Sequence, residues 1–345
     1  MDIKFTSLHQ IDHHLNDIKE IDISDQSQDL KDYTNRLIAE ITEGTSKRKF
    51  QFRRETTEVR NVIGQFLNGT YTSKETNANR LLDVEENAQK AIEHLGNKIQ
   101  KGSLFQAHLE DNDHHIVVIS KADQINFLAE DDFTLKSGLP WEKKIFKAFL
   151  ARFNNENQVI ETFVYDTTPR MAKYWWDTYL ELDEVYTPEF NTKTALKLLD
   201  SKVLANIKKK HKADHTAVRN KAVGYFQSRE TFEINGFLDT ILSNYEPVDP
   251  DFPKTKTMEK VRNLPEKYNF DSQFPIATEE VTSRKVKNKI NLTDRMDLIL
   301  KENIPELKST VQSFRDDEQR KWIAIRTDTG YDHFEGNEAN FTGEE

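Results

Sequence analysis

The chain's hydrophobic pattern predicts an α+β fold: N-terminal helices with an antiparallel sheet of hairpins, then a mainly helical basic region and a small C-terminal α/β extension. Three observations carry this. Apolar residues recur at helical spacing over 29–44, 58–67 and 81–99. The period then drops to two over 103–109 and 115–120, and again over 144–153 and 158–165. Helical spacing returns from Thr168 onward. Helices followed by adjacent hairpins favour an antiparallel sheet with helices packed on it.

The first helix places Leu30, Tyr33, Leu37, Ile38 and Ile41 on one face and stops at Gly44, a C-cap. The second aligns Val59, Val62, Ile63, Phe66 and Leu67, and the third runs through Leu82, Ala88, Ile92 and Leu95. Between the first two lies Lys47-Arg48-Lys49-Phe50-Gln51-Phe52-Arg53-Arg54. A nucleic-acid contact and an edge strand with outward bases read alike there, and the edge strand is preferred. The hairpins turn at Glu110-Asp111-Asn112-Asp113 and at Asn154-Asn155-Glu156-Asn157. Thr168 then caps a helix opened by Pro169, whose rings Tyr174, Trp175, Trp176 and Tyr179 read as a core or interface plug.

Residues 192–210 form a helix with Leu196, Leu199, Val203, Leu204 and Ile207 on one stripe. Asp214 caps the next helix, which runs through Ala222 and Phe226, and a short one carries Ile234, Phe237, Leu238, Ile241 and Leu242. Pro247, Pro250 and Pro253 mark 244–256 as an extended linker. Beyond it come a second basic run, Arg284-Lys285-Val286-Lys287-Asn288-Lys289, leading into Ile290-Asn291-Leu292, and a strand at 321–327. The expected divisions are an α+β domain (1–167), a helical basic region (168–245), a C-terminal region (246–327) and a loose acidic tail (328–345).

Charge is distributed unevenly. The chain carries net −10, but 1–32 holds −5 and 328–345 holds −6, so the body between is close to neutral. Within that body, 201–221 has seven bases, Lys202, Lys208, Lys209, Lys210, Lys212, Arg219 and Lys221, against one acid, Asp214. Such a local excess is the electrostatic footprint of a phosphate-rich partner. Part of it also has a structural explanation, because Lys208, Lys209 and Lys210 end a helix and suit its dipole.

The absence of cysteine excludes thiolate catalysis and Cys-ligated zinc and fits a reducing cytosol. The longest aliphatic run, 116–119, is far too short to span a membrane, and the N-terminus lacks a signal pattern; a soluble, cytoplasmic protein is expected. No phosphate-binding glycine loop, zinc-protease helix or serine elbow occurs. His13-His14 and His114-His115 are adjacent pairs whose rings diverge on a strand, so no metal or other cofactor is assigned. Asp131 or Asp132 followed by Glu142-x-Lys144 matches the acid and lysine arrangement of Mg²⁺-dependent nucleases.

Taken in order, these elements resemble the bacterial nucleoid-associated protein family of the NdpA type. The resemblance rests on Ser7-Leu8-His9-Gln10, the first helix with Ser46-Lys47-Arg48-Lys49-Phe50-Gln51-Phe52 after it, and Ile116-Val117-Val118-Ile119. It continues in Pro169-Arg170-Met171-Ala172-Lys173-Tyr174-Trp175-Trp176-Asp177-Thr178-Tyr179-Leu180 and returns at Ile290-Asn291-Leu292. The turn before the aromatic helix departs from the family, which is richer there in Gly and Arg. The resemblance implies a non-catalytic protein that binds double-stranded DNA in the nucleoid, with a role in chromosome, mobile-element or phage-defence biology. On this reading the seven bases contact phosphates with little sequence specificity, and the chain forms a homodimer. Two other readings stand beside it: a Mg²⁺ nuclease using Asp132, Glu142 and Lys144, and a module that binds a protein partner instead of DNA.

Overall fold

Residues 116–119 are apolar at every position, which fits a strand covered on both faces. The computed structural model, which describes residues 1–23, 27–44, 47–112, 114–141, 146–168 and 171–337, places them in such a strand. The chain divides into two units, Met1–Asn191 with Asn269–Pro275, and Thr192–Tyr268 with the described residues from Ile276 on. This division differs from the expected one: it falls inside a helix, and a short later segment returns to the first unit.

The first unit is built on strands β1 (Asp2–Asp12), β2 (Asp17–Ile21), β3 (Arg48–Phe52), β4 (Gly102–Asp111), β5 (His114–Asp123), β6 (Ile125–Leu128), β7 (Leu135–Gly138), β8 (Phe146–Asn154), β9 (Val159–Asp166) and β10 (Leu182–Glu184). Eight of them form one antiparallel sheet in the order β10-β3-β9-β8-β5-β4-β1-β2, and β6–β7 is a separate, exposed hairpin. Both expected hairpins, β4–β5 and β8–β9, lie at its centre. Asp113, Lys144 and Ile145, named at their turns and ends, lie outside the described residues.

Helix α1 (Gln28–Glu43) covers one face, packing Tyr33, Leu37, Ile38 and Ile41 on Leu8, Phe105, Val118 and Leu150. On the other face, α2 (Glu58–Leu67) and α3 (Lys74–Ile92) bring Val59, Ile63, Phe66 and Leu81 against Leu104, Val117, Ile119 and Phe149. Helix α3 begins earlier than its apolar period predicts because Asn77 is buried, donating to the Gln106 amide at 2.8 Å. The aromatic segment is a π-helical turn, Tyr174–Tyr179, whose Trp175 and Tyr179 are wholly buried in the core. Arg80 of α3 donates to the Thr178 and Tyr179 carbonyls at 2.8 and 2.9 Å, satisfying acceptors that the helix end leaves open. The cap proposed at Thr168 with Pro169 reaches outside the described residues.

Beneath these helices the sheet holds a row of buried charges. Asp166, Lys147 and Lys121 are successive cross-strand partners on β9, β8 and β5. Lys121 Nζ lies 2.6 Å from Glu85 Oε1 of α3 and 3.2 Å from Asp123 Oδ1, and Lys147 Nζ lies 3.2 Å from Asp123 Oδ2. Tyr174 donates to Glu85 at 3.2 Å and His13 Nδ1 lies 3.6 Å from it. Burial alone pushes the Glu85 carboxyl up, but Lys121 and His13 override it and hold it below the usual carboxylate range. A Cβ at Gly102 would sit 2.6 Å from Lys121 Cε, so glycine there is what lets the lysine pass.

The second unit begins within α4 (Pro188–Leu198), which with a π-helical turn (Leu199–Leu204) and α5 (Ala205–Lys210) forms one helical run, followed by α6 (Lys212–Ser228), α7 (Ile234–Leu238), a second π-helical turn (Asp239–Ser243) and α8 (Lys254–Arg262). The predicted stripe is inside, with Leu199, Val203, Leu204 and Ile207 buried, and Tyr225, Phe226, Phe232 and Phe237 meet ring to ring. Segment 244–256 is not a free linker: Tyr245 and Phe252 are buried and α8 starts at Lys254. The described C-terminal part consists largely of two-stranded hairpins, Asn288–Thr293 with Met296–Leu300 and Val311–Arg315 with Lys321–Ile325.

Removing one partner from the buried network strands the others. Lys121→Met should cost about 3–5 kcal/mol, while Lys121→Met/Glu85→Leu should recover part of that loss. Urea denaturation measures both, and a double variant no more stable than the single one would contradict the pairing argument.

Candidate nucleic-acid interface

The seven predicted bases all fall in the second unit, on the run from the Leu199–Leu204 turn through α6. Because that run turns its apolar stripe inward, Lys202, Lys208, Lys209 and Lys210 are left on its outer side, all exposed. His211 separates α5 from α6 with extended-side backbone angles (φ −123°, ψ 65°), and Lys212 is exposed at the start of α6. Among the described residues, none of these five lysines makes an ion pair. Burial first, then the charges of Lys208 and Arg219, hold the half-charged state of His215 down at about 4, so Lys208 is close enough for its field to reach α6.

The remaining two bases differ. Arg219 is largely covered and holds Asp200 through two hydrogen bonds, Nε to Oδ1 at 2.8 Å and Nη2 to Oδ2 at 2.9 Å. Its third donor, Nη1, reaches the Val286 carbonyl at 2.8 Å. It ties three segments together, with its fork already engaged. Lys221 is exposed and sits 5.2 Å from the Tyr245 ring centroid, a cation–π contact at the rim of a 440 Å³ groove also lined by Asn220, Glu246 and Lys308.

Asp214, the single acid in the basic run, is not the helix cap that its position predicts. His211 precedes α6 and no side chain caps it. Instead the Asp214 carboxylate is wholly buried, accepting from Tyr245 Oη at 2.7 Å, Val248 N at 2.7 Å and Asp249 N at 3.1 Å. Asp249 itself is bound to His211 Nδ1 at 2.7 Å. Asp214 is thus drawn inward to fix the 245–249 segment, while Asp249 is tied to His211 and Asp200 to Arg219.

The second basic run reaches the same unit. Val286 and Asn288 are buried, Lys285 pairs with Glu280 and Lys289 with Asp297, both at 2.8 Å, leaving Arg284 and Lys287 exposed. The sequence reading missed α8, whose Lys256, Lys260 and Arg262 are exposed. Its signal was the four-residue spacing of Lys256 and Lys260 beside inward Thr257 and Val261, hidden by the prolines before it.

The other candidates resolve differently. In 47–54 two of the five bases are consumed structurally: Arg48 is buried on Glu184 at 2.6 Å, and Arg53 binds Asp177 and Asp183 at 2.5 and 3.1 Å. Strand β3 is also not an edge, since β10 covers it. Asp132 is exposed at the β6–β7 tip, bound to Thr134 and Lys136, whereas Glu142 and Lys144 lie outside the described residues. His13 and His14 follow β1 in a turn, so their rings lie 4.2 Å apart instead of diverging. His115 Nδ1 meets His108 Nε2 at 3.1 Å, and no cluster of three or more metal-ligating side chains occurs among the described residues.

A helical face rich in unpaired lysines is of the kind that meets a polyanion. The sequence model of the nucleoid-associated protein YejK family matches residues 7–326, and the chain belongs to that family. No curated protein matches the chain. No helix among the described residues is long and apolar enough to cross a membrane.

The low protonation range of His215 sets a pH dependence. The unfolded chain takes up a proton near pH 6.5, while the native imidazole resists until about pH 4. The unfolded state therefore binds more protons in that window, and stability is lost as pH falls through it. Thermal melts at pH 7 and 5 should show a drop that His215→Gln reduces; an equal drop in both proteins would place the titration elsewhere.

Proposed function

We propose that the protein is a non-catalytic, cytoplasmic DNA-binding protein of the nucleoid that grips the phosphate backbone of double-stranded DNA. The observation that carries this is the set of five exposed lysines, Lys202, Lys208, Lys209, Lys210 and Lys212, without acid partners among the described residues, while Asp214, the one acid of 201–221, is buried. Membership of a nucleoid-associated family supports the choice of DNA as the polyanion. Lysine is a flexible point charge and reads no base pattern unless it is held in place, so contacts of this kind position a protein on the duplex with little sequence preference. Lys221 extends the surface along α6, and Arg219 serves it indirectly by holding α6 to Asp200 and Val286. The chain should act as a homodimer, in which two such faces would raise the avidity for one duplex.

Duplex binding measured across a salt series tests this reading. Each phosphate contact contributes about −0.9 to the slope of log affinity against log salt. Replacing Lys208, Lys209 and Lys210 by Gln should therefore flatten the slope by up to about 2.7 and weaken binding to unrelated sequences equally. Absence of duplex binding at low salt would refute the proposal.

A further inference from the structure

Helix α8 poses a question that packing does not answer. Thr257 and Val261 face inward, and the helix packs against α7 and against the Leu199–Leu204 turn that carries Lys202. Lys254 is spent locally, its ammonium donating to the Ser243 and Tyr245 carbonyls at 2.7 and 3.1 Å. Lys256, Lys260 and Arg262 are exposed and make no ion pair among the described residues.

Within the helix, Lys256 is unfavourable twice. It stands in the first turn, where the positive end of the helix dipole disfavours a cation and where no acid is present to offset it. It also stands four residues from Lys260, so the two ammonium groups are neighbours on one face and repel. Lys260 and Arg262 suit the C-terminal end of the dipole; the one acid of α8, Glu259, stands three residues after Lys256 but makes no ion pair with it. A ligand of high negative charge removes both penalties. The Asp214 and His211 contacts fix the 245–249 segment before α8, and Lys254 holds the helix start, so these cations are carried on a braced support.

We infer that α8 is a second wall of the DNA interface, with Lys256, Lys260 and Arg262 continuing onto the same duplex backbone that Lys202 meets. This rests on the DNA-binding reading above and enlarges its footprint by a helix. It predicts more phosphate contacts than the basic run of 201–221 can supply alone, and a face whose cations come from segments some fifty residues apart in sequence.

The test uses the full chain and a random-sequence duplex over a salt series, comparing wild type, the Lys208/Lys209/Lys210→Gln variant and Lys256→Gln/Lys260→Gln. The α8 variant should flatten the salt slope by about 1.8, two contacts' worth. Its melting temperature should stay close to wild type, because relief of the repulsion offsets the favourable dipole term lost with Lys260 and neither side chain makes an ion pair among the described residues; a merely structural role predicts a lower one. If the Lys208 variant flattens the slope and the α8 variant does not, α8 lies off the interface and the DNA-binding reading survives. If wild type itself shows no duplex binding, both fall together.

Discussion

The first unit depends on one buried interaction, the contact of Lys121 with Glu85 and Asp123. Glu85 belongs to α3, Lys121 and Asp123 to the central strand β5, and Lys147, which shares Asp123, to β8. The network thus fixes how helix and sheet meet. It is not a source of large net stability, since taking ions out of water costs about as much as their attraction returns. Its effect is on arrangement. Sliding α3 by one turn along the sheet would bury the Glu85 carboxylate away from Lys121 and leave Lys121 with Asp123 alone, a far greater penalty than a repacked leucine. Gly102 belongs to the same constraint, because its missing side chain is the space that Lys121 occupies.

The second unit uses a buried acid to a different end. Asp214 accepts three hydrogen bonds from 245–249 and so fastens a proline-containing segment that has little regular structure of its own. That fastening determines where α8 begins. It also removes from the surface the one negative charge inside the run 201–221. One carboxylate thereby organises the interior of the unit and adds no negative charge to the surface of 201–221.

How much of this was legible follows from what each residue announces locally. Helices α1 and α2 were readable because Leu37, Ile38, Val62 and Phe66 are buried and apolar, so period and burial coincide. The start of α3 was not, because Asn77 is a buried polar residue that a hydrophobic period counts as exposed. Hairpin β6–β7 was missed for the opposite reason: Phe127, Leu128 and Leu135 are apolar but exposed, and they set no alternation between core and water. In the candidate interface the excess of base was visible as composition. Which bases are free was not, since Arg219 is claimed by Asp200 and the Val286 carbonyl through contacts that only the folded unit creates. The prolines at 247, 250 and 253 were read for their backbone stiffness, and the anchoring rings Tyr245 and Phe252 beside them were overlooked.

A chain of net −10 is not thereby barred from a polyanion. At physiological salt the field of an exposed charge decays over about 8 Å, so what a phosphate meets is the charge within that radius and not the sum over 345 residues. Several acids of the N-terminal region are already matched nearby: Asp2 and Glu110 share Lys4, Asp12 holds Lys101 and Glu20 holds Lys74. Lys202, Lys208, Lys209, Lys210 and Lys212 are the reverse case, exposed and without an ion pair among the described residues. Net charge then acts at longer range, opposing non-specific association at low salt more than at high salt, while the local surface sets contact affinity. The two effects have opposite salt dependence, so the acidic ends should narrow, not abolish, the range of conditions over which the lysine face binds a duplex.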